Sequence, residues 1–152
     1  MGDFRGSAPA KIDDRGRLKV PTDFRRNLEE SYGLDVFVTS IRGDCAHLYP
    51  LAVWHEVEQM LSGLPRTSSA KRRFLERVSY FGQEGKLDAQ GRIVIPQILR
   101  ESAEMVGEVV VLGHQDHFQI WNRGLIKKRL VDEPFTDSDL DSLSWIRGLD
   151  SP

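Results

Sequence analysis

Apolar and polar positions along the chain follow one plan twice. The stretch Lys11–Pro21, KIDDRGRLKVP, is answered by Lys86–Pro96, KLDAQGRIVIP. In each, a short apolar segment leads into Asp, an Asp-x-x-Gly turn follows, and an alternating segment ends at Pro. Alternation predicts strands, because successive strand side chains point to opposite faces. Asp can accept from the backbone two residues on, Gly supplies a positive φ, and Pro stops strand pairing. Helical spacing comes next, with Phe24 and Leu28 on the apolar side in the first copy and Ile98, Leu99 and Met105 in the second. Gly33 and Gly107 stand where a helix C-terminus favours glycine. VFVTSIRGDCAHLYP and VVVLGHQDHFQIWN then read as hairpins, with Gly-Asp and Gln-Asp near their tips.

Asp13 and Asp88, Gly16 and Gly91, Arg17 and Arg92, and Pro21 and Pro96 are all separated by 75 positions. A period this long marks two copies of a small domain, not a solenoid. Between them, Val53, Val57 and Leu61, then Ala70, Phe74 and Val78, predict two amphipathic helices broken at GLPRTSS, with Ser68 or Ser69 as N-cap. PFTDSDLDSLSWIRGL predicts one more short helix, with Asp in its first turn and Leu140, Leu143 and Ile146 on one side. The chain thus divides into a first unit over 7–53, a helical spacer over 54–81, a second unit over 82–125 and an acidic tail over 126–152. Units of under 50 residues bury too little surface to stand alone, so the copies are expected to intertwine. Tyr49, Trp54 and Trp121 sit in apolar patterns and read as core.

Composition is that of an ordinary soluble globular chain, 39% hydrophobic and 29% charged over 152 residues. The N-terminus has no apolar stretch that would make it a secretory signal, and no apolar run suggests a membrane span. A single cysteine, Cys45, excludes an internal disulfide. These features point to the cytoplasm. Net charge is -2, but unevenly spread: from Asp132 onward six acids face Arg147 alone, while residues 1–131 hold 20 Lys and Arg against 17 Asp and Glu. A mildly basic body with an acidic tail is compatible with a nucleic-acid partner. Nucleophile-elbow, P-loop and dinucleotide-binding motifs are absent, and no carboxylate pair is marked out, so no enzyme and no cofactor are expected. His114, Asp116 and His117, with Cys45 in the matching hairpin, lack the spacing of a metal site, and hairpin-tip polarity accounts for them.

The candidate chemistry lies on the turns. Arg17 and Lys19 share one face of their strand while Leu18 and Val20 share the other; Arg15 precedes them in the turn, and Arg5 and Lys11 are near in sequence. A positive β-surface suits phosphates, and Arg can also pair with guanine in the major groove. Asp13, Gly16, Asp88 and Gly91 are expected to hold the turns, and Arg17 could serve the turn by pairing with Asp13. In the second copy Ala89, Gln90 and Val94 replace Asp14, Arg15 and Lys19, so Arg92 has less basic company, and pairing with Asp88 is its favoured role. Lys71, Arg72, Arg73 and Arg77 read as a solvated helix face rather than a second phosphate contact.

Two Asp-x-x-Gly-Arg motifs, each followed by aliphatic-x-aliphatic-Pro and separated by a helical spacer, resemble the MraZ family of bacterial transcriptional regulators. FRG at Phe4–Gly6 and LYPL at Leu48–Leu51 fit the same family, and the resemblance runs from Phe4 to about residue 130. It implies an α+β fold of tandem β-α-β swapped-hairpin (SpoVT-AbrB-like) units forming a barrel-like body. It also implies a homo-oligomeric ring larger than a dimer, which binds short direct repeats of double-stranded DNA upstream of a cell-division and cell-wall gene cluster that includes its own gene. Such a regulator would usually repress, and would associate with the nucleoid. A protein-binding ring scaffold and an antitoxin-like regulator of the same superfamily are the alternatives; two motif copies argue against the latter.

Overall fold

The computed structural model describes residues 3–146. Eight strands form one sheet: β1 (Ser7–Ile12), β2 (Arg17–Lys19), β3 (Asp35–Thr39), β4 (Ala46–Pro50), β5 (Gln83–Lys86), β6 (Arg92–Val94), β7 (Gly107–Gly113) and β8 (Phe118–Asn122). Their spatial order is β5-β3-β4-β8-β7-β1-β2-β6, and neighbours are antiparallel. The two edge strands, β5 and β6, are consecutive in the chain. The turn between them carries a backbone bond from Asp88 N–H to the Arg92 carbonyl at 3.0 Å, which brings the sheet nearly round to a closed barrel.

The order shows why the motif occurs twice. Only β1–β2, β3–β4 and β7–β8 pair within a copy; β1 pairs with β7, β2 with β6, β3 with β5 and β4 with β8 across copies. The exchange is reciprocal, since Val20 N–H donates to the Gly91 carbonyl and Ile95 N–H to the Gly16 carbonyl, both at 2.9 Å. Residues related by the 75-position offset thus exchange roles about a pseudo-two-fold axis. Neither copy can satisfy its backbone polar groups alone. The inward faces close over Leu18, Ile95, Val36, Leu48, Phe118 and Ile120, all at most 1% exposed. Phe4 enters the same core and stacks on Phe118 with centroids 4.1 Å apart.

The helices follow the same duplication. α1 (Thr22–Ser31) and α4 (Gln97–Ser102) start after Pro21 and Pro96 and anchor through Leu28 and Leu99, both fully buried. α1 stops as expected, with Gly33 N–H bonded to the Leu28 carbonyl. α4 differs from expectation. Its left-handed residue is Glu104 (φ 53), followed by Met105 N–H bonding the Arg100 carbonyl, whereas Gly107 begins β7. Met105 is buried beyond the helix and Ile98 is 46% exposed, so the apolar side of α4 is Leu99 alone.

In the spacer, α2 (Leu51–Ser62) and α3 (Ser69–Tyr80) bury Val53, Trp54 and Val78, and Ser68 caps α3 by accepting from Lys71 N–H. Beyond β8 lies a helix that the apolar pattern did not show, α5 (Arg123–Asp132), which runs across the 125/126 division. The tail helix, α6 (Asp137–Ser142), is closed by a capping box of Thr136 and Asp139. The end of its predicted span, Arg147 to Leu149, lies outside the described residues.

Candidate nucleic-acid interface

Both turns are built alike. Asp13 Oδ1 accepts the backbone N–H groups of Arg15 (3.0 Å) and Arg17 (2.9 Å), and its Oδ2 accepts Arg17 Nε at 2.8 Å. Asp88 repeats this with Gln90 (2.8 Å), Arg92 (2.9 Å) and Arg92 Nε (2.8 Å). The backbone bond from the following arginine, more than its side chain, holds each carboxyl below the usual aspartate range, against an opposing effect of desolvation. Gly16 and Gly91 close the turns at φ 78 and 74, a conformation that costs any other L-residue about 1–2 kcal/mol. Asp13, Gly16, Asp88 and Gly91 therefore stand in equivalent places in the two turns.

The arginine that follows each turn has its Nε tied to Asp, so its terminal nitrogens are the groups left to face a ligand. Arg17 and Arg92 are alike in this respect, with 28% and 29% of their side-chain surface exposed. Pairing with aspartate does not distinguish them.

The strands bring the bases together. In the β2–β6 ribbon, Arg17 stands opposite Val94, Leu18 opposite Ile93 and Lys19 opposite Arg92. Leu18 and Ile93 point into the core, which leaves Arg17, Lys19, Arg92 and Val94 on the outer face. The register that pairs Ile12 of β1 with Leu18 sets Lys11 beside Lys19, and both line one hollow. Lys11, Lys19 and Arg92 thus form a row of cations across three strands, at roughly 4.8 Å per strand. Arg17 adds a fourth cation one step along β2, and Arg15 lies exposed in the adjoining turn. Arg92 obtains its basic company across the ribbon, where spacing along the sequence showed none. Arg5 is not brought to the row: it precedes β1, about 20 Å of extended chain from Lys11.

Two arginines to which the sequence pattern assigned no role strap the turns. Arg25 on α1 donates Nη2 to the Ala89 carbonyl at 3.3 Å and lies over Gly91, while Arg100 on α4 donates Nε to the Ile95 carbonyl at 2.9 Å and lies over Gly16. Each copy's helix covers the other copy's turn. Their own offset of 75 positions was the available signal. Three of the four bases of α3 are engaged locally: Arg72 pairs with Glu76 at 3.2 Å, Lys71 reaches the Leu64 carbonyl and Arg77 the Arg73 carbonyl.

The hairpin histidines gather at the opposite hairpin tips. His47, Tyr49 and His114 surround His117, with Tyr49 stacked on it at 4.3 Å, and Asp116 Oδ1 lies 2.9 Å from His117 Nδ1. Burial pushes the His47 imidazole down to about 4 and raises the neighbouring Cys45 thiol. Among the described residues, no group of three or more His, Cys, Asp or Glu side chains is arranged to hold a metal ion.

A nearly closed antiparallel barrel made from two exchanged copies, with paired Asp-x-x-Gly-Arg turns on one ribbon, defines the class as tandem swapped-hairpin proteins of α+β type. Residues 4–77 and 82–129 match the family described as "MraZ protein, putative antitoxin-like". The chain is 45% identical over 141 residues to "Transcriptional regulator MraZ" of Acidobacterium capsulatum, covering 93% of this chain and 97% of that one. It is 42% identical over 142 residues to the protein of the same name in Koribacter versatilis, with the same coverage. The protein of that name in Actinobacillus pleuropneumoniae serotype 5b is 36% identical over 119 residues, 78% of each chain. The chain belongs to the MraZ family.

Proposed function

We propose that the chain is a DNA-binding transcriptional regulator whose reading surface is the outer face of β1, β2 and β6. The observation that carries this is the row Lys11, Lys19 and Arg92. Like charges directly opposite each other on a sheet are destabilising, and an anion laid across them turns that cost into binding. A duplex backbone supplies such anions at regular spacing. Lys11, Lys19 and Arg92 serve as phosphate contacts, while the guanidinium end of Arg17 is the group suited to base edges. Arg15, at the turn tip, extends the same surface. The names of the curated relatives, which are those of transcriptional regulators and not of enzymes, support the reading.

The finer reading follows the family. The protein assembles as a ring larger than a dimer in the cytoplasm, associates with the nucleoid, and represses a cell-division and cell-wall gene cluster by binding direct repeats upstream of its own gene. A ring presents one cation row per subunit, so weak contacts add through effective concentration. Within the chain, units 7–53 and 82–125 act as one body bridged by the spacer 54–81, and the tail 126–152 is separate from DNA binding. A gel shift with DNA from immediately upstream of the gene, against the same DNA with its repeats scrambled, tests this. Retardation of the native fragment in steps at lower protein concentration is expected; equal affinity for the two would overturn the sequence-specific reading.

A further inference from the structure

The outer face of β1 and β7 carries a groove of about 580 Å³. On its floor Pro9 stands opposite Val110 and Lys11 opposite Glu108, and Arg123 at the start of α5 forms a wall. A second hollow of about 310 Å³ shares Pro9, Ala10 and Lys11 and extends the surface to Lys19. The joined surface is apolar at its base and has Lys11, Lys19 and Arg123 against Glu108 alone.

The segment after α5 has the complementary character. Pro134–Ile146 contains Asp137, Asp139 and Asp141 and no base. Its aromatics are uncovered, Phe135 at 67% exposed and Trp145 at 80%. None of its residues lines the groove of its own chain. Exposed aromatic side chains beside a charge-matched apolar surface mark an interaction site.

We propose that Pro134–Ile146 of one copy docks in the β1–β7 groove of a second copy. Phe135 and Trp145 cover Pro9 and Val110, and the aspartates face Arg123 on the groove wall, which leaves the row to DNA. This rests on the ring reading above and supplies the link between its members. The contact joins unlike surfaces, each copy offering one tail and one groove, and such head-to-tail contacts propagate until rotation closes them into a ring.

The protein contains its own reporter. Trp54 and Trp121 are 5% and 4% exposed, which leaves Trp145 as the tryptophan that acrylamide reaches in a free chain. Light scattering and acrylamide quenching are measured on the same samples of the full-length wild type, of Val110→Glu, and of Phe135→Ser combined with Trp145→Ser. The wild type is expected to assemble at micromolar concentration, with Trp145 quenched several-fold less than in Val110→Glu. Both variants are expected to give a smaller mass with unchanged far-ultraviolet dichroism. Should Val110→Glu misfold, the tail variant carries the test, since both its residues are exposed, and protection of Trp145 is then read against the diluted wild type. An assembled wild type with Trp145 freely quenched, or a tail variant of wild-type mass, would overturn the tail contact and leave the ring to another interface. A monomeric wild type would overturn both.

Discussion

Lys19 and Arg92 face each other across the β2–β6 ribbon, and at this position stability and function pull in opposite directions. Lys19→Glu replaces a repulsive cross-strand pair with an attractive one, a change of about 1 kcal/mol. The variant is expected to melt higher than the wild type by differential scanning calorimetry and to lose DNA affinity in fluorescence anisotropy. A lower melting temperature would show that the two side chains do not meet. At the turns, Gly16→Ala and Gly91→Ala force a side chain into positive φ and displace Arg100 and Arg25 from above the glycine, and each is expected to cost at least about 1–2 kcal/mol in urea denaturation. Near-equal losses are the signature of the pseudo-two-fold axis; a large loss at one turn only would contradict it. His47 gives the fold a pH dependence. Its folded pKa of about 4 lies below the 6.5 of an unfolded histidine, so the unfolded chain binds more protons between those values. Stability is therefore complete above pH 6.5 and falls as pH drops towards 4, by roughly 3 kcal/mol from this residue. His117 is pushed the same way by burial, with Asp116 opposing. Melting temperatures of His47→Gln are expected to decline less steeply over this window than those of the wild type; parallel declines would place the acid sensitivity elsewhere.

Among the elements, α5 lies against β7 and β8 with no fully buried residue of its own. It is held by Asn122, whose Oδ1 accepts Leu125 N–H at 3.1 Å and whose Nδ2 donates to the Glu104 carbonyl at 2.7 Å, and by Arg129, which pairs with Asp44 at 2.7 Å. Asn122→Ala is expected to cost about 1 kcal/mol, the usual worth of an N-cap, with early loss of protection in α5 by hydrogen exchange. Unchanged exchange there would show that Arg129 alone suffices. The reason α5 escaped the sequence pattern is physical: it has no apolar stripe, and the Asn cap with i,i+4 partners at Lys128–Asp132 and Arg129–Glu133 was its only local signal. The elements that could be read were those written in local chemistry: the two Asp-x-x-Gly turns, the alternating strands beside them, the spacer helices and the Ser68 cap. What could not be read was partner choice. Period two says which face of β2 is buried, not that β2 lies against β6. For the same reason the row Lys11, Lys19 and Arg92 was invisible, and Arg5, close to Lys11 in sequence, stands apart from it.

For the whole molecule, exchange between copies makes one interlocked body that presents both turns on one ribbon, and one nearly closed barrel whose outer surface carries the cation row and the β1–β7 groove side by side. The acidic tail has the charge and the aromatics to occupy the groove, while the row is left for a polyanion. The central claim is that this row neutralises DNA phosphates, and salt dependence tests it most directly. Binding of labelled DNA from upstream of the gene is measured by anisotropy across a salt series, for the wild type and for Lys11→Gln, Lys19→Gln and Arg92→Gln combined, with assembly mass checked by light scattering. For the wild type, log K is expected to fall linearly with log salt at about −0.9 per phosphate neutralised. The triple variant is expected to keep its mass and to bind more weakly, with a slope shallower by about 2–3 for each subunit engaged. A triple variant that binds with the wild-type slope would contradict the row as the DNA-binding surface.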